Sequence, residues 1–209
     1  MAEVTAIGQI EGAEVHQVSL SGPRGLRLAL LTWGARLAEL WVPCRNGVLA
    51  DIVLGHDSLA DWQTHGRYLG AICGRYSNRI AGGRFTLDGR PVQVDQNEGT
   101  NHLHGGAFGF DRKIWQIEAH SDQHVTFVTT SPDGEMGYPG FLTARATYRI
   151  TVTGLEIVME ARTDALTVVN MVNHAYFNLA GQGAGDVMGQ ELQIDAGFYL
   201  PVDHAQIPT

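Results

Sequence analysis

The segment Phe141-Leu-Thr-Ala-Arg-Ala-Thr-Tyr-Arg-Ile-Thr-Val152 decides the fold class. From Leu142 on, Leu142, Ala144, Ala146, Tyr148, Ile150 and Val152 alternate with Thr143, Arg145, Thr147, Arg149 and Thr151. A period of two puts one set of side chains in a core and the other in water, the pattern of a half-buried antiparallel strand. Thr153-Gly154 supplies a turn into Leu155-Glu-Ile-Val-Met-Glu160, a second strand of the same kind. Working back towards the N-terminus, Trp115–Ala119 and Val125–Thr130 read as two more strands. Residues 4 to 42 read as several, among them Leu26–Leu31 and Arg36–Val42, and Asp51–Gly55 as a further short one. Arg84 to Val94 is a hairpin, because Asp88-Gly89 suits a tight type I′ turn.

The one convincing helical turn runs from Ser58 to Gln63, with Ser58 as its N-cap and Asp61 three residues on. Beyond it Gly66, Gly70, Gly74, Gly82 and Gly83 predict long irregular loops. There are no alternating strand–helix units, no internal repeat and no linker. Residues 1–209 are therefore expected to form a single all-β domain, a sandwich. A formal net charge of −8 argues against a nucleic-acid surface, which needs clustered Lys and Arg. No apolar run approaches the length of a membrane span, and no secretory signal is visible at the N-terminus. Two cysteines, Cys44 and Cys73, make no disulfide framework, so a reducing cytoplasm is the expected compartment.

Four polar stretches stand out from the strand pattern. Thr167 to Leu179 reads as extended, with His174, Tyr176 and Asn178 on one face and Ala175, Phe177 and Leu179 on the core face. His174 is then either a cleft imidazole or a core histidine bonded to a backbone group. Gly74-Arg-Tyr-Ser-Asn-Arg-Ile80 sets two arginines and an asparagine in a glycine-punctuated loop. Such donors suit an oxygen-rich ligand, or the backbone carbonyls of the loop itself. In Asn97-Glu-Gly-Thr-Asn-His-Leu-His-Gly-Gly106, His102 and His104 share a face if the chain is extended. No cysteine or close carboxylate other than Glu98 completes a metal set, so hydrogen-bonding imidazoles are expected and no metal. In Ser131-Pro-Asp-Gly-Glu-Met-Gly-Tyr-Pro-Gly140, Tyr138 offers a flat surface for a sugar, against the simpler reading of a long hairpin connection. There is no nucleophile elbow, Walker loop or dinucleotide fingerprint, which leaves acid/base chemistry on an uncharged polar ligand.

Together these stretches resemble the aldose 1-epimerases, also called galactose mutarotases. The likeness rests on Asp51-Ile-Val-Leu-Gly-His-Asp-Ser-Leu59, Gly74–Ile80, Asn101–Gly106 with Gly109-Phe-Asp111 and Trp115, Ser131–Glu135 with Gly137–Gly140, and Asn173-His-Ala-Tyr-Phe-Asn-Leu179. It continues through Tyr199–Asp203 and Ile207-Pro-Thr209, in order over almost the whole chain. The resemblance implies a galactose-mutarotase-like β-supersandwich that interconverts the α and β anomers of free aldohexoses such as galactose and glucose, without metal or cofactor. It implies His174 as the general acid at the ring oxygen, His104 as the second imidazole, and Asn78 and Arg79 as sugar-hydroxyl ligands. The family's general base is a glutamate in a motif not found here, and Glu98, Glu135 and Glu191 lie outside any such context. The chain is accordingly expected to be the N-terminal part of a longer mutarotase-like domain, incomplete at its C-terminus and poorly active alone. The alternatives are a non-catalytic carbohydrate-binding member of the fold and a hexose-6-phosphate mutarotase, the latter needing more arginines than this acidic chain shows. No nucleic-acid or membrane partner is expected.

Overall fold

A computed structural model describes residues 2–209. Five strands open the chain: β1 (Glu3–Ile10), β2 (Ala13–Ser21), β3 (Arg27–Leu31), β4 (Arg36–Pro43) and β5 (Leu49–Asp51). Each pairs antiparallel with the next, giving one five-stranded sheet. The helix α1 (Leu59–His65) follows, capped as its sequence predicts, with the Ser58 hydroxyl accepting from the Asp61 N–H at 3.1 Å. Three very short strands and a hairpin come next: β6 (Ile72–Cys73), β7 (Arg79–Ile80), the hairpin of β8 (Arg84–Leu87) with β9 (Arg90–Gln93), and β10 (His102–Leu103). The hairpin turn has Asp88 and Gly89 both at positive φ, 48° and 73°, as a type I′ turn demands. A four-stranded antiparallel sheet follows, of β11 (Gln116–His120), β12 (His124–Ser131), β13 (Leu142–Ile150) and β14 (Leu155–Thr163), before the short β15 (Val172–Asn173).

The alternation in β13 translates directly into packing. Leu142, Ala144, Ala146 and Tyr148 are fully buried against Leu20, Leu28, Leu30 and Leu37 of the first sheet, so the two sheets share one core. Tyr148 ties the layers with a polar bond, its hydroxyl donating to the Ala35 carbonyl at 2.6 Å. On the far side of the first sheet, Ala29, Leu31, Trp33 and Ala38 form a second cluster closed by Trp62 of α1. That double cover explains why Leu28 to Leu31 is apolar without alternation: β3 is buried on both faces.

Two expectations are corrected. The strand expected over Asp51–Gly55 ends at Asp51, because that carboxylate accepts from the Leu40 and Val53 N–H groups at 2.9 and 3.1 Å and turns the chain. The stretch from Thr167 to Leu179 is ladder-paired only at Val172–Asn173, with single bridges at Asn170 and Phe177. Asn178 is buried, its side chain accepting from the Ala180 N–H and donating to the Gly185 carbonyl, and this local bonding bends the backbone. Of the presumed core face, Ala175 packs on the main core, whereas Phe177 and Leu179 are 48 % and 70 % exposed. Among the described residues, no helix is long and apolar enough to cross a membrane.

Candidate active site

Two minimal ribbons build the site. β6 pairs with β15, placing Ile72 opposite Asn173, and β7 pairs with β10, placing Arg79 opposite Leu103. The residue just past β15 is His174 and the residue just past β10 is His104. Antiparallel pairing sets each beside the residues that precede its partner strand. His174 therefore donates its N–H to Ala71 at 2.8 Å and accepts from the Gly70 N–H at 2.9 Å. His104 donates its N–H to the Asn78 carbonyl at 3.2 Å, and its ring Nδ1 accepts from the Asn78 N–H at 3.0 Å.

That last bond decides the tautomer. With Nδ1 accepting, the neutral ring of His104 carries its proton on Nε2 and presents a donor. Burial first, then the neighbouring His174 and Arg79, push its pKa down to about 4, so His104 stays neutral around pH 7. His174 sits edge-on to it, ring centroids 4.9 Å apart at 82°. Neither ring nitrogen of His174 has a hydrogen-bond partner among the described residues, which rules out the backbone-bonded core histidine. Tyr68 lies 4.7 Å from the His104 ring and 5.9 Å from His174, and Tyr176 lies 5.1 Å from His174. These rings line an open cleft of about 720 Å³ whose polar side holds Ser77, Asn78 and Arg79. Asn78, His104 and Tyr68 all have positive φ, at 62°, 53° and 60°. Such backbone is costly for bulky side chains, and it persists where the surroundings over-determine it, often at functional sites.

The family model for aldose 1-epimerase matches residues 16–209. The chain belongs to the aldose 1-epimerase family. It is 45 % identical over 186 residues to a galactose mutarotase of Bos taurus, covering 88 % of this chain and 54 % of that protein. With an aldose 1-epimerase of Escherichia coli K12 it shares 41 % identity over 199 residues, 95 % of this chain and 57 % of that one. Among solved structures it superposes on a galactose 1-epimerase from Lactobacillus acidophilus with a TM-score of 0.84 at 28 % identity, covering 100 % of this chain and 61 % of that one. The chain thus spans little more than half the length of the curated relatives it matches.

In this epimerase-family chain, His174, His104, Asn78 and Arg79 come from three separate segments and meet on one cleft. His102 does not join them. The left-handed backbone at His104 breaks the alternation, and His102 points into the core. Its Nδ1 lies 2.6 Å from the Asp95 carbonyl and its Nε2 2.5 Å from the Tyr138 hydroxyl. Both ring nitrogens are committed, so the two histidines share no face for a metal. The same contact buries Tyr138 to 1 % exposure and removes it as a sugar surface. The loop around Gly74 divides likewise. Arg75 is buried and donates to Ser131, Pro132 and Pro139, whereas Asn78 and Arg79 reach the cleft. Arg79 is gripped by Glu98 through two bonds of 2.6 and 2.7 Å, which orients its guanidinium and engages both carboxylate oxygens. Glu135 is bonded to Lys113 and Ser131, and Glu191 does not line the cleft. Tyr68 and Arg67 escaped the sequence reading; Gly66 and Gly70, which bracket a tight loop around them, were the available signal.

Proposed function

We propose that the cleft belongs to an aldose 1-epimerase acting on free aldohexoses, galactose among them, as the names of its relatives indicate. Ring opening requires a proton delivered to the ring oxygen O5 as the C1–O5 bond breaks, and another removed from the C1 hydroxyl. The open aldehyde then recloses on its other face. His174 is the acid at O5, since its ring is free of protein hydrogen bonds, lines the cleft and can carry a transferable proton. His104, neutral with Nε2–H outward, donates to a substrate oxygen and steadies the charge that grows there. Asn78 and the Glu98-braced Arg79 hold sugar hydroxyls. The observation that carries this reading is the pair of imidazoles 4.9 Å apart, one locked as a neutral donor and the other unbonded, facing Asn78 and Arg79 across an open cleft.

Among the described residues lining the cleft there is no carboxylate. Of the two arginines lining the cleft, Arg79 is already paired with Glu98, which weakens it as a phosphate ligand. Cys44 and Cys73 are both free thiols, which supports a reducing, cytoplasmic setting. The test is polarimetry on freshly dissolved α-D-galactose and α-D-glucose with the whole protein. His174→Ala should lower kcat by about 10²-fold or more, the usual contribution of a positioned acid. A variant within threefold of wild type would remove His174 from that role.

A further inference from the structure

We infer that Tyr68 is a positioning residue of this reaction, its ring the fixed wall against which His104 and His174 are both set; the inference rests on the mutarotase reading above. Tyr68 is the only described aromatic whose ring contacts both imidazoles, at 4.7 Å and 58° to His104 and at 5.9 Å and 30° to His174. A ring in that place limits rotation of both side chains and keeps water off one side of each. Its own position is over-determined. The loop on which it stands is held from beneath by Arg36, whose Nη1 donates to the Gly66 carbonyl at 2.6 Å and also to that of Leu69. Arg36 is 1 % exposed and clamped between the rings of Trp33 and Trp62, 4.6 and 5.0 Å away, so the donor cannot drift. The loop ends at Gly70, whose carbonyl accepts from Leu37 and from the Asn173 side chain, while its N–H reaches the His174 carbonyl. A Cβ there would lie 2.1 Å from the Leu37 carbonyl oxygen, at a φ of +66°. Above the ring, Arg67 stacks its guanidinium 4.8 Å from the centroid and donates to the hydroxyl at 3.1 Å. Besides packing Arg36 into the second cluster, these contacts converge on the loop that carries Tyr68. They fix one aromatic ring at the floor of a polar cleft.

The distinguishing readout is the acid limb of the pH–rate profile together with the split between kcat and KM. Burial is the first cause of the depressed His104 pKa, while His174, Arg79 and Arg67 lower it and Glu98 raises it. Stripping away the Tyr68 ring admits water and should move that limb upward towards the ordinary histidine range. Polarimetry on the whole protein, wild type beside Tyr68→Leu, Tyr68→Phe and His174→Ala, reads both. Tyr68→Leu should lose about 10- to 10²-fold in kcat with KM within threefold, and its acid limb should rise. Tyr68→Phe, which keeps the ring, should recover most of the loss. Arg67→Ala, a change at an exposed side chain that spares the core, should lower kcat about three- to tenfold even if the leucine variant does not fold. Tyr68→Leu within threefold of wild type overturns the inference. So does equal damage from Tyr68→Phe, or a kcat loss with the acid limb unmoved. Where Tyr68→Leu does not fold, an Arg67→Ala variant within twofold of wild type has the same force. If wild-type protein and His174→Ala both match the uncatalysed rate, the mutarotase reading itself falls and carries this inference with it.

Discussion

At His104 one backbone bond, from the Asn78 N–H to Nδ1, sets the chemical character of the ring, and desolvation keeps it uncharged. The same burial has a consequence for stability. The folded pKa, about 4, lies below the ordinary 6.5. Between those values the unfolded chain binds more protons than the folded one, so this contribution is lost as pH falls through that window. His102, also lowered chiefly by burial, acts in the same direction, whereas Asp111, raised to about 6 by burial, opposes it. Urea unfolding of the whole protein from pH 7 to 4.5 should therefore show a shallower pH dependence in His104→Asn than in wild type. Identical slopes would mean that the ring of His104 is freely hydrated in the folded state.

Among the strands, β13 carries two kinds of polar contact with very different expected weights. Arg145 on its outer face forms a bidentate pair with Glu118 of β11, at 2.7 and 2.6 Å, at the partly exposed sheet surface. Water competes with that pair, and holding two long side chains together opposes it entropically. Tyr148 on the inner face donates to Ala35 across the sandwich and accepts from Asn173 at 3.0 Å, linking the core to the ribbon that ends in His174. Removing its hydroxyl leaves a buried carbonyl without a partner, at a cost of about 1–3 kcal/mol. Denaturant midpoints should then fall clearly for Tyr148→Phe and stay near wild type for Arg145→Ala. The reverse ranking would show that the surface pair, and not the inter-sheet bond, stabilises this sheet. A drop in kcat in Tyr148→Phe is also expected, because the Asn173 side chain loses one of its three hydrogen bonds.

Over the whole molecule, apolar surface is unevenly distributed. The two clusters between and behind the sheets are closed, yet Phe177, Leu179, Met188, Leu192, Phe198 and Tyr199 are 48 % to 95 % exposed, all within one stretch of chain. Single exposed apolar residues are ordinary; a run of this extent is an association or aggregation surface unless something covers it. β14 adds an edge strand whose outer face carries Val158. Residues 1–209 expressed alone should therefore self-associate and bind the dye ANS. Size-exclusion chromatography that returned a monodisperse, ANS-silent monomer would refute this.

The alternation of β13, the Asp88-Gly89 turn, the Ser58 cap and the sandwich class were legible in the amino-acid order because each depends on neighbours a few residues away. His174, His104, Asn78 and Arg79 were singled out through motif resemblance, and all four line one cleft. What the order of residues could not decide was direction. His102 and His104 are two apart and should share a face, but a φ of 53° at His104 sends one into the core and the other to the cleft. Arg75 and Arg79 share a loop, yet one is consumed by carbonyls more than fifty residues away and the other reaches the ligand side. Phe177 and Leu179 read as core from their periodicity and stand in solvent. Tyr68 carries no motif, and its loop is held by residues distant in sequence, Arg36 at 32 positions earlier and Asn173 among them. Periodicity is a statement about continuous extended backbone; wherever the backbone turns left-handed, or a side chain's cover comes from a distant segment, the three-dimensional pairing alone settles which way a residue faces.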